Sequence, residues 1–111
     1  MRRVVLESPY AGDIDRNVAY ARRAVRHSLR LGEAPIASHL LYPQPYILRE
    51  EDVIERQWGI DAGHAWLGVC DLVVFYVDLG WSNGMGAALD RCADLGVRHT
   101  SRLIGERESS W

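Results

Sequence analysis

The sequence predicts a single α/β domain in which a mainly parallel sheet is covered by helices on both faces, a three-layer sandwich. Short apolar runs alternate along the chain with segments of helical periodicity. The run DLVVFYVD at residues 71–78 is apolar without alternation, which is typical of a central parallel strand that is covered on both faces. The 111 residues, 48% of them hydrophobic, suffice for one compact core and not for two.

The first elements are a strand and a long helix. Residues 3–7, RVVLE, form a β-branched run that ends in the turn cluster SPYAG. Asp13 or Asp15 can cap a helix that extends to about Leu31, because apolar residues then recur at spacings of three and four. Gly32 is expected to end this helix.

The middle of the chain predicts a second strand and an interrupted helix. Residues 35–41, PIASHLL, resemble a buried strand, and the two prolines within residues 42–45 forbid regular structure in the loop that follows. Residues 50–69 have helical composition but contain two glycines. We therefore expect a short helix, a kink or break near Trp58 and Gly59, and a second helix through Trp66, a predicted core residue.

The C-terminal part predicts a strand, a helix and a last strand. The strand at residues 71–78 is followed by a loop, by a helix from about Asn83 to Leu95 that Gly96 ends, and by a fourth strand within residues 97–104. We expect residues 1–105 to form the domain and residues 106–111 to be a polar tail.

Charge and composition exclude several functions. The net charge is −2, and the 13 basic residues are scattered, so we expect no binding to duplex nucleic acid. No apolar run approaches the length of a membrane span. The two cysteines lack metal-binding spacing, which favours a cytoplasmic protein without a metal or another cofactor.

The loop after the third predicted strand is the strongest candidate for a binding site. In parallel sheets, ligands bind outside the carboxyl ends of the strands, where the strand order reverses. Here Ser82, Asn83, Gly84 and Met85 directly precede a helix, whose free N–H groups can bind an anion such as phosphate. Alternatively, Ser82 is only the helix cap and the glycines relieve crowding.

Side chains after the other strands are expected at the same edge. Ser8, Tyr10 and Gly12 follow the first strand, His39 closes the second, and Asp78 closes the third. Tyr10 can contact a ligand or cover the core, and His39 can bind a ligand or be structural. Asp78 can bind a ribose hydroxyl or accept hydrogen bonds from loop amides.

Two further residues are candidates for ligand contacts. Arg16 lies in the first turn of the first helix, nearest the expected site. Trp81 precedes the key turn, and like Trp58 it can stack on a base or be buried at a subunit interface.

The chain resembles the nucleoside 2-deoxyribosyltransferase superfamily, which includes deoxynucleoside 5′-monophosphate N-glycosidases. The resemblance covers nearly the whole chain and is carried by the segments SPYAG, PIASHLLY, AWLGVCD, LVVFYVD and GWSNGMGAALDRCADLG. The resemblance implies a small flavodoxin-like fold with four or five strands and a nucleoside or nucleotide ligand. It also implies a homodimer or larger homo-oligomer whose sites are completed by a neighbouring subunit.

Carried over by position, the resemblance implies that Ser82 and Gly84 shape the ligand-facing turn, that Tyr10 lies against the sugar, and that Asp78 is near the ribose. It places the family's nucleophilic glutamate four residues after Gly84, where this chain has Ala88. An alanine cannot form the covalent glycosyl intermediate of that reaction.

Three interpretations follow from this departure. The first is a nucleoside- or nucleotide-binding protein without turnover. The second is an active hydrolase or transferase that uses a displaced carboxylate, with Asp78 and Tyr10 as candidate catalytic residues. The carboxylate could also come from Glu7, which could face either helical layer, or from another subunit. The third is a structural or oligomerisation protein with a residual pocket.

Overall fold

The computed structural model describes residues 1–105, and the predicted tail at residues 106–111 lies outside the described residues. The elements in chain order are β1 (Arg3–Glu7), α1 (Ile14–Arg30), β2 (Ala34–Ile36), α2 (Ser38–Leu41), α3 (Val53–Ala65), a 3₁₀ turn (Trp66–Gly68), β3 (Leu72–Tyr76), α4 (Asn83–Leu95) and β4 (His99–Arg102).

Within residues 1–105, four parallel strands form the sheet in the order β2-β1-β3-β4. Val5 of β1 pairs with Ile36 on one side and with Val73 on the other, which makes β1 and β3 the central strands. The chain leaves β1 toward β2 and then returns to the opposite side, so the order reverses between β1 and β3. Pro35 is tolerated in β2 because this is an edge strand.

Helices cover both faces of the sheet, which confirms the predicted three-layer α/β fold. One face packs on α1 through Tyr20 and Ala24. The other face packs on α4 and on the 3₁₀ turn, and its buried core consists of Val5, Leu67, Val73, Phe75, Met85, Ala88 and Cys92. No helix within residues 1–105 is long and apolar enough to cross a bilayer.

The bounds of α1 and α4 agree with the sequence because their ends carry local signals. The Asp13 carboxylate accepts a hydrogen bond from the Arg16 amide at 3.2 Å and caps α1. The Ser82 hydroxyl accepts one from the Met85 amide at 3.2 Å and caps α4. Gly96 ends α4 in the left-handed conformation, with φ 67°.

The second strand is shorter than predicted. It ends at Ile36, and residues 38–41 form the helix α2 instead of continuing the strand. The segment SHLL has no β-branched residue, and an edge strand gains hydrogen bonds on one side only, so little holds it extended. His39 therefore lies on a helix and not at the end of a strand.

The predicted break in the third helix is also wrong, since α3 runs without interruption through Gly59 and Gly63. A Cβ on Gly63 would lie 2.6 Å from Ser38 Oγ, and one on Gly59 would lie 3.0 Å from Leu48 Cδ2. The glycines thus allow α2 and the preceding loop to approach one face of α3. Trp66, predicted in the core, is 42% exposed.

A polar cluster joins the end of α1 to β4. Arg102 forms two hydrogen bonds with the Glu33 carboxylate, at 2.8 and 3.0 Å, and a third with the Tyr76 hydroxyl at 2.9 Å. The Ser28 hydroxyl donates to the same Glu33 carboxylate at 2.7 Å. Every group of this largely buried ion pair is therefore supported by further hydrogen bonds.

Candidate functional site

A cavity of about 480 Å³ opens at the carboxyl ends of β1 and β3, where the strand order reverses. Its walls come from the loop after β1, from α2 and α3, and from the first turn of α4. This is the position that parallel sheets offer to ligands, because loops from two sides of the reversal diverge there.

Most of the residues that the sequence suggested for a site lie around this cavity. Eight of them line it: Ser8, Tyr10, Gly12, His39, Ser82, Asn83, Gly84 and Met85. Three of them, Arg16, Asp78 and Trp81, are not part of its lining.

The Asp78 carboxylate forms hydrogen bonds with residues outside the cavity lining. It accepts hydrogen bonds from the Tyr20 hydroxyl at 2.5 Å and from the amides of Ile104 and Gly105 at 2.9 and 3.1 Å. Burial disfavours ionisation of Asp78, but these hydrogen bonds outweigh burial and lower its pKa. The geometry corresponds to the alternative in which Asp78 holds loop amides, here those that follow β4.

Trp81 and Arg16 likewise lie beside the cavity and not in its wall. The Trp81 ring stacks on Phe75 with centroids 4.9 Å apart and is 49% exposed, so it covers the end of the sheet core. The Arg16 side chain is exposed on the first turn of α1.

Ser8 and His39 form a contact pair in the cavity wall. Ser8 Oγ lies 2.6 Å from His39 Nε2, which joins the loop after β1 to α2. Burial lowers the pKa of His39 to about 4, so its imidazole is neutral near pH 7. A neutral imidazole can orient the Ser8 hydroxyl or accept a hydrogen bond, but it is a poor source of protons.

Glu7, the last residue of β1, is the one ionisable residue of this strand that lines the cavity. Burial raises the pKa of its carboxyl group to about 7. Within residues 1–105 this carboxyl group has no hydrogen-bond or ion-pair partner. The sequence left the orientation of Glu7 open; the alternation of β1 places it on the same face as Val5, toward α4.

The first turn of α4 forms the opposite wall. Within the helix, the amide of Met85 bonds to Ser82 Oγ and that of Gly86 to the Ser82 carbonyl. The amides of Asn83 and Gly84 precede the first intrahelical bond and remain available to a ligand.

The sequence did not identify α3 as a wall of the site. Arg56, Gly59, Ile60 and His64 all line the cavity, and Arg56 forms an ion pair at 3.4 Å with Glu50 at its rim. The two glycines four positions apart were the available signal, because they mark one helix face that other segments approach closely. They were instead interpreted as helix breakers.

A second depression of about 590 Å³ lies within residues 43–51 and beside Glu55. It lies mainly in the loop before α3 and shares Pro43, Leu48 and Glu50 with the lining of the first cavity, but none of the residues suggested by the sequence lines it. The cavity at the strand ends is therefore the candidate functional site.

Several solved structures share this fold, and two of them are enzymes that act on nucleosides or nucleotides. A 2-deoxyribosyltransferase of the psychrotolerant bacterium Bacillus psychrosaccharolyticus, a biocatalyst for nucleoside synthesis, superposes with a TM-score of 0.71 at 15% identity, over 94% of this chain and 74% of its own. The CMP N-glycosidase BcmB of Clostridium botulinum superposes with a TM-score of 0.53 at 11% identity, over 99% and 75%. The superpositions show a common fold, and at such low identities they show the fold alone.

Sequence comparison places the chain in a family. No curated protein matches it. Residues 2–102 match the family described as Domain of unknown function (DUF7768). Because this match covers nearly the whole chain, the protein belongs to that family, and its architecture is the flavodoxin-like fold of the 2-deoxyribosyltransferases.

Proposed function

We propose that the cavity binds a nucleoside or nucleotide. The proposal rests on one observation. A single cavity at the reversal of strand order is lined both by the loop after β1 and by the first turn of α4. Its volume of about 480 Å³ lies within the roughly 300–1,000 Å³ of small-ligand sites. The names of the two structural neighbours, a nucleoside-synthesising transferase and a CMP glycosidase, support this ligand class.

The lining offers a chemically distinct region to each part of such a ligand. The free amides of Asn83 and Gly84 at the positive end of α4 suit a phosphate or a sugar hydroxyl. Ile60 of α3 and Leu48 provide apolar surface for a base. Tyr10 is partly buried at the rim and offers both a ring for stacking and a hydroxyl.

Thermal unfolding with added ligands tests this function. Nucleosides and nucleoside 5′-monophosphates are added separately, and a ligand at 100 times its Kd stabilises the protein by about 2.7 kcal/mol. The Tyr10→Ala variant should weaken binding roughly 10-fold. Tyr46→Ala is the matched control, because Tyr46 is a fully exposed loop tyrosine outside this cavity. Binding is refuted if no member of either ligand class raises the melting temperature.

We further propose that the chain assembles as a homo-oligomer in the cytoplasm. The apolar side chains of Val53, Ile54 and Trp58 on α3 are 83, 67 and 59% exposed. An exposed apolar surface of this kind is typical of interfaces between subunits. Because α3 is also a wall of the cavity, self-association through this surface would bring a second subunit close to the site.

A further inference from the structure

Glu7 and Ala88 belong to the same side of the sheet. Val5, two residues before Glu7, packs in the core beside Ala88 and Cys92 of α4. Glu7 continues that face toward the cavity. Burial, and then the nearby charge of Glu7, raise the pKa of the Cys92 thiol to about 11, and Cys92 is one helical turn after Ala88. The carboxyl group of Glu7 therefore lies on the α4 side of the sheet, as Ala88 does.

Among residues 1–105, the environment of Glu7 contains no structural partner for its carboxyl group. Its carboxyl group makes no hydrogen bond and no ion pair with any of residues 1–105, and it opens into the cavity. An unpaired, partly dehydrated carboxyl group destabilises a fold. A group of this kind in a cleft is a candidate for chemistry, since the same conditions adjust its reactivity.

The other carboxylates near the cavity are either paired with another residue or lie outside the cavity lining. Glu50, which also lines the cavity, is paired with Arg56. Asp90 is exposed on α4. Asp78 holds the segment after β4 and is not part of the cavity lining.

We propose that Glu7 is the catalytic carboxylate of this site and acts on the N-glycosidic bond of the bound nucleoside or nucleotide. The inference rests on the ligand class proposed above. Ala88, fully buried and small, carries no carboxylate and does not line the cavity, whereas Glu7 supplies a carboxylate to the cavity from the same face of the sheet. In this proposal the catalytic carboxylate comes from β1 and not from α4.

The reaction proceeds in two balanced steps. An oxygen of ionised Glu7 forms a bond to the anomeric carbon as the bond from that carbon to the base nitrogen breaks, and the base leaves with the electron pair and takes a proton from water. Water then attacks the same carbon, the ester bond to Glu7 breaks, and the carboxylate is restored while the second proton passes to solvent. The net reaction is hydrolysis to free base and sugar.

Base release and ligand binding, measured on the same samples, test the inference. The purified protein is incubated with ribo- and deoxyribonucleosides and their 5′-monophosphates. Free base is quantified by chromatography, and binding is followed by thermal unfolding. Glu7→Gln should retain binding within a few-fold and lose base release by roughly 10³-fold or more. Asp90→Asn, an exposed carboxylate on α4, is the control and should behave as the wild type.

Trapping of a glycosyl intermediate adds a readout that a structural role would not produce. In the wild type, acid quenching during turnover should trap one sugar on the peptide that contains Glu7, detected by mass spectrometry.

The outcomes separate the two proposals. Binding without base release by the wild type, or release that survives in Glu7→Gln, overturns the role of Glu7 and leaves the ligand class standing. Absence of both binding and release overturns the ligand class and the role of Glu7 together.

Discussion

Replacing Glu7 by glutamine should stabilise the protein at pH 8 and have almost no effect at pH 4. Burial raises the pKa of this carboxyl group from 4.5 to about 7, so the native state holds the proton more tightly than the unfolded chain. Below pH 4.5 the carboxyl group is protonated in both states, so its ionisation does not change the free energy of unfolding. Between pH 4.5 and about 7 the unfolded chain ionises first, and the wild type loses stability.

The magnitude follows from the size of the shift. A change of about 2.5 pKa units at about 1.36 kcal/mol per unit corresponds to about 3 kcal/mol. The loss is complete above pH 7, where both states are ionised. Glutamine has nearly the same shape and no charge, so the variant should be more stable than the wild type by about this amount at pH 8.

Urea unfolding at pH 4, 6 and 8, followed by tryptophan fluorescence, measures the effect. Glu7→Gln and wild type are compared at each pH, so that contributions from other titrating groups cancel, and an unchanged m-value identifies a change in stability alone. Asp90→Asn is the control for loss of an exposed carboxylate. A difference between Glu7→Gln and wild type that does not vary with pH would refute the burial of Glu7 on which this reasoning depends.

Two other expectations concern packing and assembly. Arg102→Met leaves the Glu33 carboxylate without its main partner and should lower the free energy of unfolding, measured with urea, by about 2–3 kcal/mol. Arg3→Met is the control, because it breaks an exposed ion pair and should change the melting temperature little. Replacing both Ile54 and Trp58 by glutamate should reduce the mass measured by light scattering to that of one chain, and an unchanged mass would mean that α3 is not the interface.

Local signals in the sequence were sufficient for most of the fold. The alternation of apolar runs and amphipathic segments predicted the parallel sheet between two helical layers. Ser82 and Gly96 marked the two ends of α4 because capping involves neighbours within one turn. Eight of the eleven suggested site residues line the cavity because strand ends and helix starts meet at one edge of a parallel sheet.

The errors arose where a residue's conformation depends on a distant partner. Gly59 was predicted to interrupt the helix, but it allows Leu48 to approach α3, and this contact is visible only once the loop and the helix are placed. The suggested site role of Asp78 stays a prediction; in the structure the amides of Ile104 and Gly105 donate hydrogen bonds to its carboxylate.

The sequence by itself therefore determined the class of fold, the helix that begins after Ser82, and the absence of a glutamate at Ala88. Only the tertiary structure decided that Glu7 turns toward α4 and opens into the cavity with no partner among residues 1–105. The physical reason is one of range. Propensity and capping act over a few neighbouring residues, whereas the hydration of a carboxyl group depends on every segment that packs around it.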